Sequence, residues 1–216
     1  MKERFIRHGL DNFADHNVIE LLLFFAIPRH DVGPLSHELI NRFGGLAGVF
    51  EATFEELKSV EGLGESGAHL LKVIPEVSRR YMLAQTPRRE RLGSSTALGR
   101  YMIPYFMYER DEVIYALFLD ARQRVIIQEE LGRGVVDAVT MNTRQITELA
   151  LQHKASGVVL AHNHPSGVAL PSAEDEALTL RVRGALSLVG VTLIDHIVVA
   201  GCDYCSMAES GLLTFS

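Results

Sequence analysis

The segment GVVLAHNHPSGVALPSAEDEALTLRVRGALSLVGVTLIDHIVVA, residues 157–200, alternates between strand and helix patterns. Its first and last parts are apolar and β-branched, and the part between them opens with Pro171-Ser172 and has the composition of a helix. Two β-rich runs, EVIYALFLD and QRVIIQEEL, and the helical run NTRQITELALQHKA precede this segment. The alternation predicts an α/β sandwich in which helices cover a mixed sheet.

Two histidines and an aspartate lie where the first strand of this segment gives way to the helix. His162 and His164 are two residues apart at the strand end, so their side chains project from one face, about 6.5–7 Å apart at Cα. Asp175 lies in the first turn of the helix that follows. Two imidazoles and one carboxylate leave the fourth position of a tetrahedral zinc ion open, as in catalytic zinc sites. The spacing therefore predicts a zinc site formed by His162, His164 and Asp175.

Each of these residues also has an ordinary structural interpretation. Ser172 and Asp175 match a capping box, in which Asp175 covers free amides at the helix start. His162 alone is compatible with a hydrogen-bonded core residue, and HNHPSG alone with a polar turn. The ordered pattern H-x-H-x7-S-x2-D, placed on a strand, a loop and a helix, favours the metal site over these alternatives.

The pattern H-x-H-x7-S-x2-D resembles the signature of the JAMM (MPN+) metalloprotease domain. The longer form HNHPSG…PS..D…T, followed by LIDHIVV, is similar to the bacterial RadC family, and the similarity extends from about Glu109 to the C-terminus. The resemblance implies a JAMM/MPN-like (cytidine-deaminase-like) sandwich and a zinc-dependent hydrolase related to isopeptidases that cleave ubiquitin-like modifiers. RadC-family proteins are also commonly named as DNA-repair proteins. Asn163 departs from eukaryotic JAMM proteins, which usually have Ser or Thr there, but it matches the RadC branch.

The resemblance also implies roles for two further residues. Ser172 matches the residue that steadies the oxyanion or the bound water in JAMM proteins. Glu112, at the start of EVIYAL, resembles the glutamate that takes and returns the proton of the activated water. Tyr115 stands where a glycine is usual, and we expect it to crowd the site. Glu130 and then Glu129 are the alternative bases, and an exposed glutamate at a strand start is the structural alternative for Glu112.

The N-terminal part of the chain predicts a separate, all-helical domain. Its helical runs are HNVIELLLFFA, PLSHELINRFGG, TFEELKSV and GAHLLKVIPEVSRRYMLA, and the polar segment QTPRRERLGSS follows them. We predict a helical domain at residues 1–84, a linker at 85–95 and the JAMM-like zinc domain at 96–216. Pro75 and Pro104 are expected to kink or interrupt the helices that contain them.

The sequence VEGLGES, at residues 60–66, matches the hairpin of helix-hairpin-helix modules. In DNA-binding versions, glycines such as Gly62 and Gly64 let backbone amides approach a phosphate, and Lys58 and Lys72 are nearby cations. The carboxylates at positions 61 and 65 would repel that phosphate. We therefore expect a protein-interaction module rather than a DNA-binding one.

Composition bears on solubility, nucleic-acid binding and location. The chain of 216 residues is 47% hydrophobic and carries a net charge of −6, which fits a soluble globular protein without a large basic face. The longest apolar run, LLLFFAI, is too short to span a membrane, and the start MKERFIRHGLDN has no signal core, so we expect a cytoplasmic protein without a membrane partner.

Two further pairs of chemically reactive or ionisable residues lie near the C-terminus, one of cysteines and one of an aspartate and a histidine. Cys202 and Cys205 form a single C-x-x-C, which we interpret as two reduced structural thiols. Asp195 and His196 are neighbours on a strand and face opposite ways, so they cannot both bind one metal. We interpret them as a structural pair, with support of a metal ligand as the alternative.

Two functional hypotheses from different classes follow. In the first, the protein is a zinc hydrolase that cleaves a peptide or isopeptide bond in a protein or peptide substrate. In the second, it is a DNA-associated repair or recombination protein whose zinc domain binds a partner or cuts nucleic acid. A single zinc suits attack on a carbonyl, whereas nucleases of this kind commonly pair two metal ions about 3.5–4 Å apart and need more carboxylates. The first hypothesis is favoured.

Overall fold

The structure, a computed structural model, describes residues 1–28, 30–85, 91–134 and 142–213. The chain divides into two compact units, Met1–Tyr81 and Met82–Ser216. No helix in these described ranges has the length and apolarity needed to cross a membrane.

The first unit is helical, as predicted. Its helices are α1 (Lys2–His8), α2 (Asp15–Ala26), α3 (Gly33–Phe43), α4 (Leu46–Glu51), α5 (Phe54–Lys58) and α6 (Gly64–Gln85), which extends past the end of the unit. The sequence did not predict the two short helices α1 and α4. Leu23, Leu39, Leu57 and Leu71 are buried together and form the centre of its core.

In its described residues, the second unit contains a five-stranded sheet and three helices. The elements are α7 (Ser95–Phe106), β1 (Val113–Leu119), β2 (Val125–Arg133), α8 (Thr143–Gln152), β3 (Gly157–Asn163), α9 (Ala173–Ser187), β4 (Thr192–Ala200) and β5 (Asp203–Ser206). The strand order is β2-β1-β3-β4-β5; only β3 and β4 pair in parallel, and the other neighbours are antiparallel. The predicted mixed sheet is confirmed.

Helices cover both faces of this sheet, so the unit is an α/β sandwich. On one face, Leu98, Met102 and Phe106 of α7 pack against alternate residues of the central strands. On the other face, Ile146 of α8 and Leu178 of α9 pack against the remaining set. The strand end at His162 and the start of α9 therefore meet on the α8/α9 face.

Two details differ from the sequence-based expectations. Helix α6 continues through Pro75 and α7 through Pro104, so neither helix is interrupted at its proline as the sequence predicted; both prolines are buried. The predicted linker 85–95 lies partly outside the described residues, but its end is packed. Leu92 is buried beside α7, and its N–H donates to the carbonyl of Gln123.

Candidate metal centre

His162 and His164 lie at the end of β3. The strand pairs with β1 as far as His162, and the His164 N–H donates to the carbonyl of Val199 at 2.8 Å, which continues the contact with β4. The two side chains share one face, and their Nε2 atoms are 3.0 Å apart. His162 is buried, and 18% of the His164 side chain is exposed, so the pair has one side open to solvent.

Asp175 approaches these nitrogens from the first turn of α9. Its Oδ1 is 3.2 Å from Nε2 of His162, and its Oδ2 is 3.5 Å from Nε2 of His164. Ser172 is the N-cap of α9 and forms a capping box with Asp175. Burial alone would raise the pKa of the Asp175 carboxyl, but a protonated His162 and the hydrogen bonds from Ser172 outweigh burial and hold that pKa well below its ordinary value. Asp175 is therefore ionised at neutral pH.

Glu112, the residue before β1, completes the cluster. One ligand atom from each of Glu112, His162, His164 and Asp175 lies within 4.8 Å of the other three, and no other such group of three or more occurs in the described residues. Burial raises the pKa of the Glu112 carboxyl, and the two histidines oppose that shift. The cluster opens into a pocket of about 280 Å³, which is also lined by Ile114, Ser172, Glu174 and Leu178.

A backbone carbonyl determines which ring nitrogen of His164 carries the proton. Its Nδ1 is 3.0 Å from the carbonyl oxygen of Val168. A carbonyl can only accept, so we assign the proton to Nδ1. The Nε2 atom of His164 therefore presents a lone pair to the pocket.

A chain of three hydrogen bonds indicates that the ring proton of His162 is also on Nδ1. The Thr179 hydroxyl donates to the backbone carbonyl of Asp175 at 2.5 Å, so its oxygen accepts from Nδ1 of His196 at 2.6 Å. Burial lowers the pKa of His196 well below its ordinary value, which keeps this imidazole neutral. Its Nε2 then accepts from Nδ1 of His162 at 2.8 Å. The Nε2 atom of His162 is left with a lone pair that faces the pocket.

When both imidazoles are neutral, the cluster therefore brings together acceptors without a donor between them. Two imidazole lone pairs and the Asp175 carboxylate face one another, and the Glu112 carboxyl lies beside them. Such groups repel one another unless a cation or a proton lies among them. Neutral imidazoles and carboxylates are established ligands of divalent metals, so the residues present fit a bound metal ion.

The alternative bases and Tyr115 lie elsewhere. The Tyr115 ring packs on Tyr105 and Phe106, and its hydroxyl donates to Glu130 at 3.0 Å, on the α7 face of the sheet. It therefore does not crowd the pocket, contrary to expectation. Burial and this hydrogen bond raise the pKa of Tyr115 to about 12. Glu130 pairs with Arg133 at 3.1 Å, and neither it nor the glutamate at position 129 belongs to the cluster.

The adjacent pair Asp195 and His196 has two separate roles. Asp195 is buried and accepts hydrogen bonds from the Ser206 hydroxyl at 2.6 Å and the Ala208 N–H at 3.0 Å, which makes it structural. His196 faces the other way and contacts His162 directly. Thr179 is the last residue of the pattern PS..D…T and was assigned no role from the sequence, although its position four residues after Asp175 places both on one side of α9.

The hairpin residues of the first unit have partners of their own. Gly62 and Gly64 have φ of 85° and 62°, which only glycine adopts readily. The ammonium group of Lys58 is 2.6 Å from Glu65. Lys72 donates to the carbonyls of residues 50 and 52 at 2.9 and 2.8 Å, where it stabilises the end of α4. Both cations are thus engaged within the unit.

Comparison with known proteins places this site in a family. A sequence model of the RadC-like JAB domain matches residues 92–212, which include all four clustered residues. The chain belongs to this family. UPF0758 protein BPP1850 of Bordetella parapertussis is 38% identical over 212 residues, which cover 98% of this chain and 94% of the relative.

Other RadC-like relatives match over the same extent. A UPF0758 protein of Variovorax paradoxus is 38% identical over 214 residues, which cover 98% of this chain and 95% of the relative. UPF0758 protein IL0240 of Idiomarina loihiensis is 36% identical over 212 residues, with the same coverage. The similarity of these RadC-like proteins thus includes the helical first unit as well as the JAB domain.

Proposed function

We propose that this RadC-like protein is a zinc-dependent hydrolase of the JAMM type that cleaves peptide or isopeptide bonds. The observation that carries the proposal is the convergence of two imidazole lone pairs and an ionised Asp175 beside a second carboxyl group, Glu112. Three protein ligands and an open fourth position are typical of catalytic zinc sites. His162, His164 and Asp175 would hold the Zn²⁺ ion, and Glu112 remains available for proton transfer.

The chemistry divides between the metal and the protein. A bound zinc ion supplies a Lewis acid that polarises a carbonyl and lowers the pKa of water towards 7. Glu112 accepts the proton of the attacking water and returns it to the nitrogen of the leaving amine. Burial raises the pKa of Glu112, which suits both steps because a group with a pKa nearer the working pH transfers protons better in each direction.

Ser172 stands at the wall of the same pocket. Its hydroxyl donates to Oδ2 of Asp175 at 2.7 Å. We propose that this hydroxyl turns to donate to the oxyanion that develops on the substrate carbonyl, while the Ser172 N–H, which also donates to Oδ2 at 2.7 Å, keeps Asp175 in place. The proposed substrate is a protein or a peptide.

A DNA-associated function has weaker support. Lys58 is paired with Glu65, and Lys72 is bound to backbone carbonyls, so neither cation is arranged for a phosphate. The metal cluster contains two carboxylates in all, fewer than a pair of metal ions commonly needs. The hydrolase therefore remains the preferred proposal.

The test combines metal analysis with a substrate screen. We expect about one zinc per chain in protein that has not met a chelator, and no zinc in His162→Ala. His30→Ala, which removes a histidine outside the cluster, should keep the metal. A screen of peptide, isopeptide and DNA substrates should show zinc-dependent cleavage of an amide bond. Zinc-free wild-type protein, or metal-dependent cleavage of DNA alone, would contradict the proposal.

A further inference from the structure

Asn163 lies between the two histidines, but its side chain turns away from the pocket that they face. Strand alternation directs it to the opposite side of β3, and only 4% of it is exposed. Its Oδ1 accepts from the N–H of Val113 at 2.7 Å, and its Nδ2 donates to the carbonyl of Asp111 at 3.0 Å. The residue between these two partners is Glu112.

The two hydrogen bonds of the Asn163 side chain continue the pairing between β3 and β1 into the segment that precedes β1. The antiparallel pairing of β1 with β3 ends at Ile114 opposite His162. In such a ladder, alternate residues direct their N–H and C=O groups to the same neighbour, and the next groups that face β3 belong to Val113 and Asp111. An asparagine amide has the donor and the acceptor of a peptide group. The Asn163 side chain therefore makes the two hydrogen bonds that further backbone of β3 would otherwise make.

The other edge of the same segment is also held. The carbonyl of Glu112 accepts from the N–H of Gly134, at the end of β2, at 2.9 Å. The backbone on both sides of Glu112 is therefore bonded to Asn163, and its own carbonyl is bonded to Gly134. With the backbone extended in this way, alternation places the Glu112 side chain on the face of His162.

We propose that Asn163 is a positioning residue that holds Glu112 beside the metal ligands. The inference rests on the proposed role of Glu112 as the base. It also explains the residue type: serine or threonine has one polar atom on a shorter side chain, and an ionised aspartate has no donor for the carbonyl of Asp111. Asn163 therefore serves the metal centre from the far side of the strand without touching substrate or metal.

Amide hydrogen exchange in the metal-free protein tests the contact itself. In Asn163→Ala, the exchange rate of the Val113 N–H should rise about tenfold or more, the factor expected for the loss of one net hydrogen bond. Asn142→Ala is the matched control, because Asn142 also makes two side-chain bonds to backbone groups, the N–H groups of residues 144 and 145. In that control, Val113 should exchange as in wild type. Unchanged exchange of Val113 in Asn163→Ala would overturn the proposal, whether or not a substrate is known.

Kinetics of the zinc-loaded protein then test the link to Glu112. Asn163→Ala should keep one zinc per chain and lose at least tenfold in kcat with little change in KM. The same change in a Glu112→Gln background should have no further effect, since the group that it positions is already inactive. Equal losses in both backgrounds would overturn the proposal. If Asn163→Ala does not fold, Asn163→Asp replaces it; this variant keeps the acceptor for Val113, so Val113 should stay protected while kcat falls in the wild-type background only.

Discussion

Ser172 and Asp175 bind each other in both directions. The Ser172 oxygen accepts from the Asp175 N–H at 3.1 Å, and Oδ2 of Asp175 accepts from the N–H and the hydroxyl of Ser172, both at 2.7 Å. The other carboxylate oxygen, Oδ1, faces His162. Asp175 thus uses Oδ2 for the capping box and directs Oδ1 towards the histidines. The capping interpretation and the metal-ligand interpretation of this residue are therefore compatible.

Ser172→Ala should therefore weaken both the helix and the metal site. We expect a loss of about 1 kcal/mol in the free energy of unfolding, typical of an N-cap, and weaker zinc binding because Asp175 loses a hydrogen bond. Denaturant titration and chelator competition measure the two effects. Thr53→Ala is the matched control, since it removes the capping box of α5 in the other unit. It should cost about the same stability and leave zinc affinity unchanged; an equal loss of zinc affinity in both variants would refute the explanation.

Glu112→Gln should separate proton transfer from metal binding. Because the base is not a required ligand, this variant should keep its zinc and lose about 10²- to 10⁴-fold in kcat. Asp175→Asn should lose the zinc itself. Glu130→Gln, which changes a glutamate held by Arg133 outside the cluster, should keep both zinc and rate. A fully active Glu112→Gln beside an inactive Glu130→Gln would move the assignment of the base to Glu130.

Thr179 should support the metal through His196 and His162. Thr179→Val keeps the shape of the side chain but removes the hydroxyl, so His196 loses the partner that orients it. Changes to such outer partners typically cost 10- to 100-fold in metal affinity, which is the loss expected here. Thr179→Ser retains the hydroxyl and should bind zinc nearly as well as wild type. If valine and serine bind zinc with equal affinity, the hydroxyl has no such role.

The metal-free protein should become more heat-stable at neutral pH when Glu112 cannot ionise. The pKa of Glu112 in the folded state lies above its ordinary value of 4.5. At pH values in the window between these two pKa values, the folded state therefore binds more protons than the unfolded state. Stability therefore falls as pH rises through the window, and the cost is fully present at higher pH. Glu112→Gln should raise Tm at pH 7 and leave it nearly unchanged at pH 4, as thermal unfolding with chelator can measure. Glu130→Gln should lower Tm at pH 7, because Arg133 lowers the pKa of Glu130 and thus stabilises its ionised form in the folded state. An unchanged Tm at pH 7 in Glu112→Gln would contradict this account.

Duplex DNA should bind the full chain weakly, with a shallow dependence on salt. The hairpin can neutralise few phosphates, because Lys58 is paired with Glu65 and Lys72 is bound to carbonyls. Glu65→Gln, which releases Lys58, is the variant expected to strengthen binding. Sub-micromolar affinity of the wild-type chain at physiological salt, with a steep salt dependence, would show this charge argument to be wrong.

The parts of the site that the sequence predicts are local ones. The spacing of His162, His164, Ser172 and Asp175 depends only on a strand end, a turn and a helix start, each of which has its own sequence pattern. The role of His196 depends on the parallel pairing of β3 with β4, which places it beside His162. Periodicity gives no register between strands, so this contact could not be derived from the sequence.

The errors have a similar origin. Tyr115 was expected to crowd the site because a larger residue replaces a glycine of the family pattern, but strand alternation directs it to the α7 face. Pro75 and Pro104 were expected to kink or interrupt their helices because local rules weigh only the lost hydrogen bond, and the interruption does not occur. Both prolines are buried, and those rules do not include burial.

All three candidate ligands lie between residues 162 and 175, whereas Glu112 lies just before β1, far earlier in the chain. Under the proposed function, the ability to hold a metal and the ability to move a proton are therefore encoded in separate stretches of the gene. A descendant of this protein can lose the second without disturbing the first, through one substitution in β1 or its approach. Such a descendant would keep the fold and the ion, and selection could then retain it as a binding domain.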